Sequence, residues 1–219
     1  MKLVNLLLGS VALCIFLTSC MHVKSQVTVF HQFPDGYSGK SYAIVPDKSQ
    51  VGSLEFNSYA QVLRQQMNTN GFREVPIETA DLAVFVFYTI DNGHQVISST
   101  PIMGQTGVTA SSTSGNVQVF GNSASYSENT TYTPTYGEVG TEIKSRTEYT
   151  RMLEIDMVDR TLLSQGKIKK LYEGKATSNG RTGTLNEVLP TMIEEVFDRF
   201  PGKNGRTRTV DKTVHRQGE

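Results

Sequence analysis

The sequence predicts an α+β fold: a two-layer sandwich whose mostly antiparallel sheet carries two amphipathic helices on one face. Three observations lead there. Several short stretches alternate apolar and polar residues with period two, and two longer ones repeat apolar residues at helical spacing. The two late strands are separated by too few residues for a crossover helix, so they pair as a hairpin.

Gln26 to Phe33 alternates, with Val27, Val29, His31 and Phe33 on one face, and reads as a strand that ends at the turn residues Pro34-Asp35-Gly36. Ser41 to Val45 is a second strand, closed by Pro46-Asp47. Ser53 can cap a helix over Leu54 to Asn70, whose Phe56, Tyr59, Ala60, Leu63 and Met67 share a face. Gly71 suits the left-handed position after that helix, which lets Phe72 fold back onto Met67. Leu82 to Ile90 is apolar on both faces and reads as a central buried strand.

From about 91 to 145 the pattern breaks into a stretch rich in Ser, Thr, Gly and Asn, with Tyr126, Tyr132 and Tyr136 scattered through it. An irregular insertion is the first expectation. A long exposed β-hairpin, seeded by Val117 to Phe120, is the second. Order returns with a strand over Arg146 to Val158 and another over Ile168 to Thr177, with Asp159 to Lys167 turning the chain between them. Lys169 and Lys170 read as edge protection. Thr184 with Glu187 forms a capping box ahead of the last helix, where Leu185, Val188, Leu189, Met192, Val196, Phe197 and Phe200 make one stripe. Pro190 should bend this helix or mark its true start. Glu194-Glu195 reads as its solvated side, and residues 203–219 as a polar, loose tail.

The first twenty residues decide the address. Lys2 is followed by an apolar run from Leu3 to Leu17 and then Thr18-Ser19-Cys20, the pattern of a bacterial lipoprotein signal. Residues 1–19 would be removed by cleavage between Ser19 and Cys20, and Cys20 would carry diacylglycerol on its sulfur and an acyl chain on its new amine. Two or more chains anchor durably, because each buried methylene contributes about 0.8 kcal/mol. Met21 stands where an Asp would favour the inner membrane, so the expected location is the outer membrane, facing the periplasm. Residues 20–25 would be a lipidated tether, and 26–202 a single α+β domain.

The composition narrows the chemistry. Lys+Arg and Asp+Glu are equal at 21 each, so no basic field exists to hold nucleic acid. Cys14 leaves with the signal and Cys20 is acylated, which leaves no disulfide and no thiolate. The four histidines, His22, His31, His94 and His215, lack metal-ligand spacing. Residues 104–121 are Gly-rich but not followed by Gly-Lys-Ser/Thr, and no G-x-S-x-G elbow occurs. Asn129-Thr130-Thr131 matches a glycosylation sequon without consequence in a bacterial chain.

In their order along the chain, Tyr42-Ala43 with Pro46, Gly71-Phe72, Ala80-Asp81-Leu82, Asp156-Met157-Val158-Asp159 and Tyr172-Glu173-Gly174 are diagnostic, followed by Leu189-Pro190, Phe197, Phe200-Pro201-Gly202 and Asn204-Gly205. With these residues the chain resembles a bacterial lipoprotein family known as the domain of unknown function 4136, over most of residues 24–210. It departs from the pattern at Tyr172, where the family usually has Trp, and in its longer middle insertion. The resemblance implies an envelope lipoprotein without an assigned reaction.

Glu154, Asp156 and Asp159 are the nearest approach to a carboxylate cluster. Glu154 and Asp156 share a strand face, as paired acid–base work or calcium would need, while Asp159 opens a turn and bonds its own backbone. No catalytic residue, cofactor or metal is assigned. The expected function is a non-catalytic interaction or assembly-accessory module that binds another envelope protein. The alternative is a binder of a lipid or glycan between helices and sheet. An enzyme would need a cleft that brings Glu154 or Asp156 beside another ionisable group.

Overall fold

The computed structural model describes residues 22–33, 36–121 and 123–214. The chain is α+β and rich in strand, with three helices among the described residues. In order it forms β1 (His22–His31), β2 (Ser41–Ile44), α1 (Leu54–Thr69), β3 (Arg73–Glu74), β4 (Leu82–Ile90), β5 (His94–Phe120) and β6 (Ser123–Asp159). Then come α2 (Arg160–Ser164), β7 (Lys170–Gly180), α3 (Leu189–Phe197) and β8 (Thr207–Thr213). Two compact units result: one from the residues up to His94 and from Glu148 onward, the other from Gln95–Thr147.

In the first unit the strand order is β3-β2-β4-β6-β7-β1-β8. The sheet is mixed. β2 runs parallel to both β3 and β4, whereas β4–β6, β6–β7, β7–β1 and β1–β8 are antiparallel. The parallel pairs follow from α1, which carries the chain from β2 back to the same end of the sheet before β3 and β4 begin. Asp81 fastens this crossover: its Oδ2 accepts from the Ser41 amide at 2.8 Å and the Ser41 hydroxyl at 2.7 Å. Those bonds hold the Asp81 carboxyl below its ordinary pKa.

One core unites the inward residues. Val27 and Val29 of β1, Val84 and Val86 of β4, and Leu153, Ile155 and Met157 of β6 are at most 3% exposed. They meet Leu63 and Met67 of α1 and Met192, Ile193 and Val196 of α3, all fully buried. Ser53 caps α1 by accepting from the Phe56 amide, and the Phe72 amide reaches back to the Met67 carbonyl across Gly71 at φ 86°. Beside the core, Phe200 gathers Tyr37, Phe72, Tyr172 and Phe197 at ring-centroid distances of 5.0–5.7 Å.

Several expectations are corrected. β4 is central, and Leu82, Ala83 and Val84 are buried on both of its faces, but further along the face away from the core opens and Phe87 is 45% exposed. The Asp159–Lys167 turn contains α2, capped by the Asp159 side chain, which accepts from the Leu162 amide. The last helix starts at Leu189 with Pro190 in its first turn, so the Thr184/Glu187 box lies upstream and caps nothing. Pro190 belongs there because its missing N–H would go unused. Glu195 is fully buried, not solvated. His22–Ser25, expected in the tether, open β1, and Thr207–Thr213, expected in a loose tail, form β8 paired along β1. The helix faces proposed as a ligand pocket are filled by their own side chains packed in the core.

The second unit is a pairing of β5 with the first part of β6. The region expected to be irregular is therefore a long hairpin, the second of the two readings. Its length is set by an almost unbroken supply of β-compatible Thr, Val, Tyr and Ser with no helix former in a run.

Candidate interaction surfaces

Opposite the helices, the sheet of the first unit presents a face of alternating registers. Phe85 lies opposite Asp156, which lies opposite Glu173, which lies opposite Phe30. One row over, Phe87, Glu154, Lys175 and Thr28 are aligned in the same way. Charged groups at the middle of the face are thus flanked by aromatic rings, Phe85 stacked on Phe87 at 6.5 Å and Phe30 52% exposed.

The charges neutralise one another. Lys170 Nζ reaches Asp156 Oδ2 at 2.7 Å, Glu173 Oε2 at 3.3 Å and Glu154 Oε1 at 3.4 Å, and Lys175 Nζ reaches Glu173 Oε1 at 2.6 Å. Glu154, Asp156 and Glu173 come within 4.8 Å of one another, close enough to hold a cation. The Lys170 ammonium already reaches all three carboxylates, so a metal would have to displace it. Burial pushes the Asp156 carboxyl up, against the pull of Lys170. Burial also works against the Lys170 ammonium, but Asp156 and Glu173 hold it above its ordinary pKa, so Lys170 stays charged.

Removing the cation exposes what it balances. Lys170→Met is expected to destabilise the protein by about 1–2 kcal/mol at pH 7, less than for a dry ion pair because Lys170 is partly exposed to water. Asp156 would then be left buried beside two carboxylates. The loss should shrink as the pH is lowered and Asp156 protonates; urea unfolding at pH 7 and pH 4 checks both.

The hairpin of the second unit has a different surface. β5 carries no Asp, Glu, Lys or Arg. Within 123–148 every charged residue of β6 (Glu128, Glu138, Glu142, Lys144, Arg146 and Glu148) sits at an even position, together with Tyr126, Tyr132 and Tyr136. With period two, one face of this strand collects tyrosines and charges, and the other collects Ser, Thr, Val and Ile. Tyr126 donates to Glu128 at 2.8 Å and Lys144 pairs with Glu142 at 3.1 Å along the first face. Threonine hydroxyls meet across the strands, Thr113 with Thr130 at 3.0 Å and Thr106 with Thr135 at 3.3 Å. Ile97, Met103, Val117, Val119, Tyr136 and Ile143 are each 58–71% exposed.

Ser19, Cys20 and Met21, the residues expected for cleavage, lipidation and sorting, lie outside the described residues, and the chain enters the structure at His22. Glu154 and Asp156 do share a face, as their spacing requires, and Asp159 stands apart as a helix cap. Sequence reasoning missed Lys170 as the centre of the cluster, since its role depends on the register that sets Glu154 opposite Lys175 and Asp156 opposite Glu173. No helix among the described residues is long and apolar enough to cross a membrane.

No curated protein matches this chain. Among solved structures it is similar to a PDZ domain protein from Parabacteroides distasonis, at 14% identity and a TM-score of 0.46, covering 88% of this chain and 39% of that one. It therefore spans well under half the length of that protein. It is also similar to the PelC dodecamer from Paraburkholderia phytofirmans, at 12% identity and a TM-score of 0.34, covering 78% of this chain and 93% of that one. The residues that tie β2 to β4, close α1 and surround Phe200 are those singled out in the sequence, and the match they announce extends over residues 26–202: the chain belongs to the family described as Domain of unknown function (DUF4136).

Proposed function

We propose that this chain is a lipid-anchored lipoprotein of the bacterial cell envelope, held by an acylated Cys20 at the outer membrane and facing the periplasm. It acts without catalysis as an interaction or assembly-accessory module for another envelope protein. The observation that carries the interaction reading is the Gln95–Thr147 hairpin. A two-stranded ribbon is marginal in water and gains stability from a third strand or a covering surface. The β5 strand lacks the charges with which solvent-exposed edges usually discourage pairing, so an added strand from a partner meets no repulsion there. The first unit is read as a two-layer sandwich with both longer helices on one face.

Deleting Ser98–Thr135 is expected to leave the first unit folded, with its thermal transition preserved, and to abolish partner capture. Native mass spectrometry of the full-length lipoprotein, gently extracted from its own membranes, is the readout. A co-purifying protein at fixed stoichiometry, lost on deletion, supports the proposal. A bare lipidated chain before and after deletion, or collapse of the first unit on deletion, sinks it.

A further inference from the structure

Among the described residues, Arg151 is a buried cation with no carboxylate at ion-pair distance. It sits on the core-facing side of β6, opposite Ile90 of β4 and Ser178 of β7, and is 3% exposed. Among the described residues its Nε has no hydrogen-bond partner, and Nη2 makes a long contact to the Tyr149 carbonyl at 3.5 Å. The carboxylate whose charge it feels, Asp91, spends its Oδ1 on the backbone amides of Gly93 and Thr150 and its Oδ2 on His94.

An arginine cannot escape this position by losing its proton, as a buried lysine could. An unpaired ion held away from water costs several kcal/mol, so the fold must offset the charge or recruit its counterpart. The surroundings favour recruitment. Arg151 lines a cavity of about 220 Å³ with His22, Ser178, Asn179, Arg181 and Thr182, a wall that supplies a second guanidinium, an imidazole, an amide and hydroxyls. No lining residue is a carboxylate, and Asp211, outside the lining, lies 3.2 Å from His22 Nδ1. Gly180 makes the arrangement possible, because a Cβ there would collide with Arg151 Nη2.

From this geometry we infer that the cavity is a binding site for a phosphate group, with Arg151 as the buried anchor and Arg181 and His22 at the rim. Arginine's planar fork of donors matches phosphate oxygens, and the Asn179 amide can add a further donor. Two sources present this chemistry: a free phosphate, or the headgroup of an anionic phospholipid. The second source rests on the proposed anchoring at Cys20, two residues before His22. The first does not.

The test measures thermal unfolding of the full-length protein in a neutral detergent without phosphate. Sodium phosphate is then added against sodium chloride of equal ionic strength, and the measurement is repeated in nanodiscs of phosphatidylcholine with and without phosphatidylglycerol. At a phosphate concentration a hundredfold above its dissociation constant, Tm should rise by about 5–10 °C. Arg151→Met should remove the rise while leaving the unliganded protein as stable as before or more so, since it replaces an uncompensated ion with an apolar side chain. Gly180→Ala keeps every charge, displaces the guanidinium and should weaken the response at least tenfold in phosphate concentration. A rise with phosphate in detergent assigns the free anion. A rise confined to phosphatidylglycerol nanodiscs assigns the headgroup. No rise in either setting, or an equal rise in Arg151→Met, overturns the site. A phosphate response without a phosphatidylglycerol response keeps the site and counts only against a membrane-facing cavity.

Discussion

Phe200→Ala is expected to cost about 2–3 kcal/mol and to lower Tm by roughly 5–10 °C, because the partly buried ring joins elements that are far apart in the chain. Its four aromatic neighbours come from different places: Tyr37 before β2, Phe72 after α1, Tyr172 on β7 and Phe197 at the end of α3. Truncation removes the contacts that this partly buried ring makes with all four neighbours. Phe200→Leu should cost about a third as much. Tyr172 provides the contrast. It is 1% exposed with a hydroxyl that finds no partner among the described residues, and burial pushes its phenol above the ordinary pKa. Tyr172→Phe should therefore be neutral or stabilising by up to about 1 kcal/mol, since it removes a desolvated polar atom and keeps the ring. Denaturant unfolding of the two variants checks the pair. A Phe200→Ala loss below about 1 kcal/mol would mean that the neighbours repack and that the cluster is not a keystone.

The parts legible in the sequence were those whose local signals and tertiary environment agree. β4 runs from Leu82 to Ile90 as read, because Ala80-Asp81 and Asn92-Gly93 bracket a run with no helical period. α1 was legible from Ser53, its apolar face and Gly71, and the family from residues now seen to close turns and surround Phe200. Illegible features depend on what lies across the fold. β8 reads as polar tail because it is a sheet edge. Its inward residues include Arg208, which bonds Asp198 and the carbonyls of Glu195 and Val196, and Lys212, which bonds the Glu194 carbonyl. Polar residues that serve a helix end look like solvated ones when only the sequence is in view. The parallel pairing of β2 with β4 was hidden for a different reason: it requires knowing that α1 returns the chain across the sheet rather than leading away from it.

Two charged residues sat in plain view on apolar faces. Arg151 lies in the alternation with Tyr149, Leu153, Ile155 and Met157, so the period alone points it inward. Glu195 falls three residues after Met192 and seven after Val188, on the very stripe that packs α3 against the sheet. In each case the signal was present, and the general preference of charge for water outweighed it. The candidate surfaces were less accessible still. The hairpin's composition could be seen, but whether it forms strands depends on cross-strand pairing that no local pattern specifies.

Glu195 should make the protein lose stability as the pH rises through neutrality. Among the described residues neither carboxylate oxygen makes a well-formed hydrogen bond, although the Ser25 hydroxyl lies near enough to favour the charged form, and Glu195 is 0% exposed. Burial raises its pKa from 4.5 to about 7, against the pull of the Ser25 hydroxyl, Lys212 and Arg208 and with a push from Asp211. The folded state thus holds a proton that the unfolded chain releases near 4.5. The associated stability is fully present below that value, declines between about pH 4.5 and 7, and is gone above. The expected change is about 3 kcal/mol across that window. Glu195→Gln keeps the shape, removes the titration and should flatten this part of the curve, leaving the variant more stable than the parent at pH 8 and little changed at pH 4.5. Lys212→Met should steepen the decline, because it removes a cation that favours the charged form. Guanidinium titrations at intervals from pH 4 to 8 are the measurement. A parent curve flat over that range would show that Ser25 or water satisfies the carboxylate in solution, and that α3 packs on β1 and β8 with a charge the core can hold.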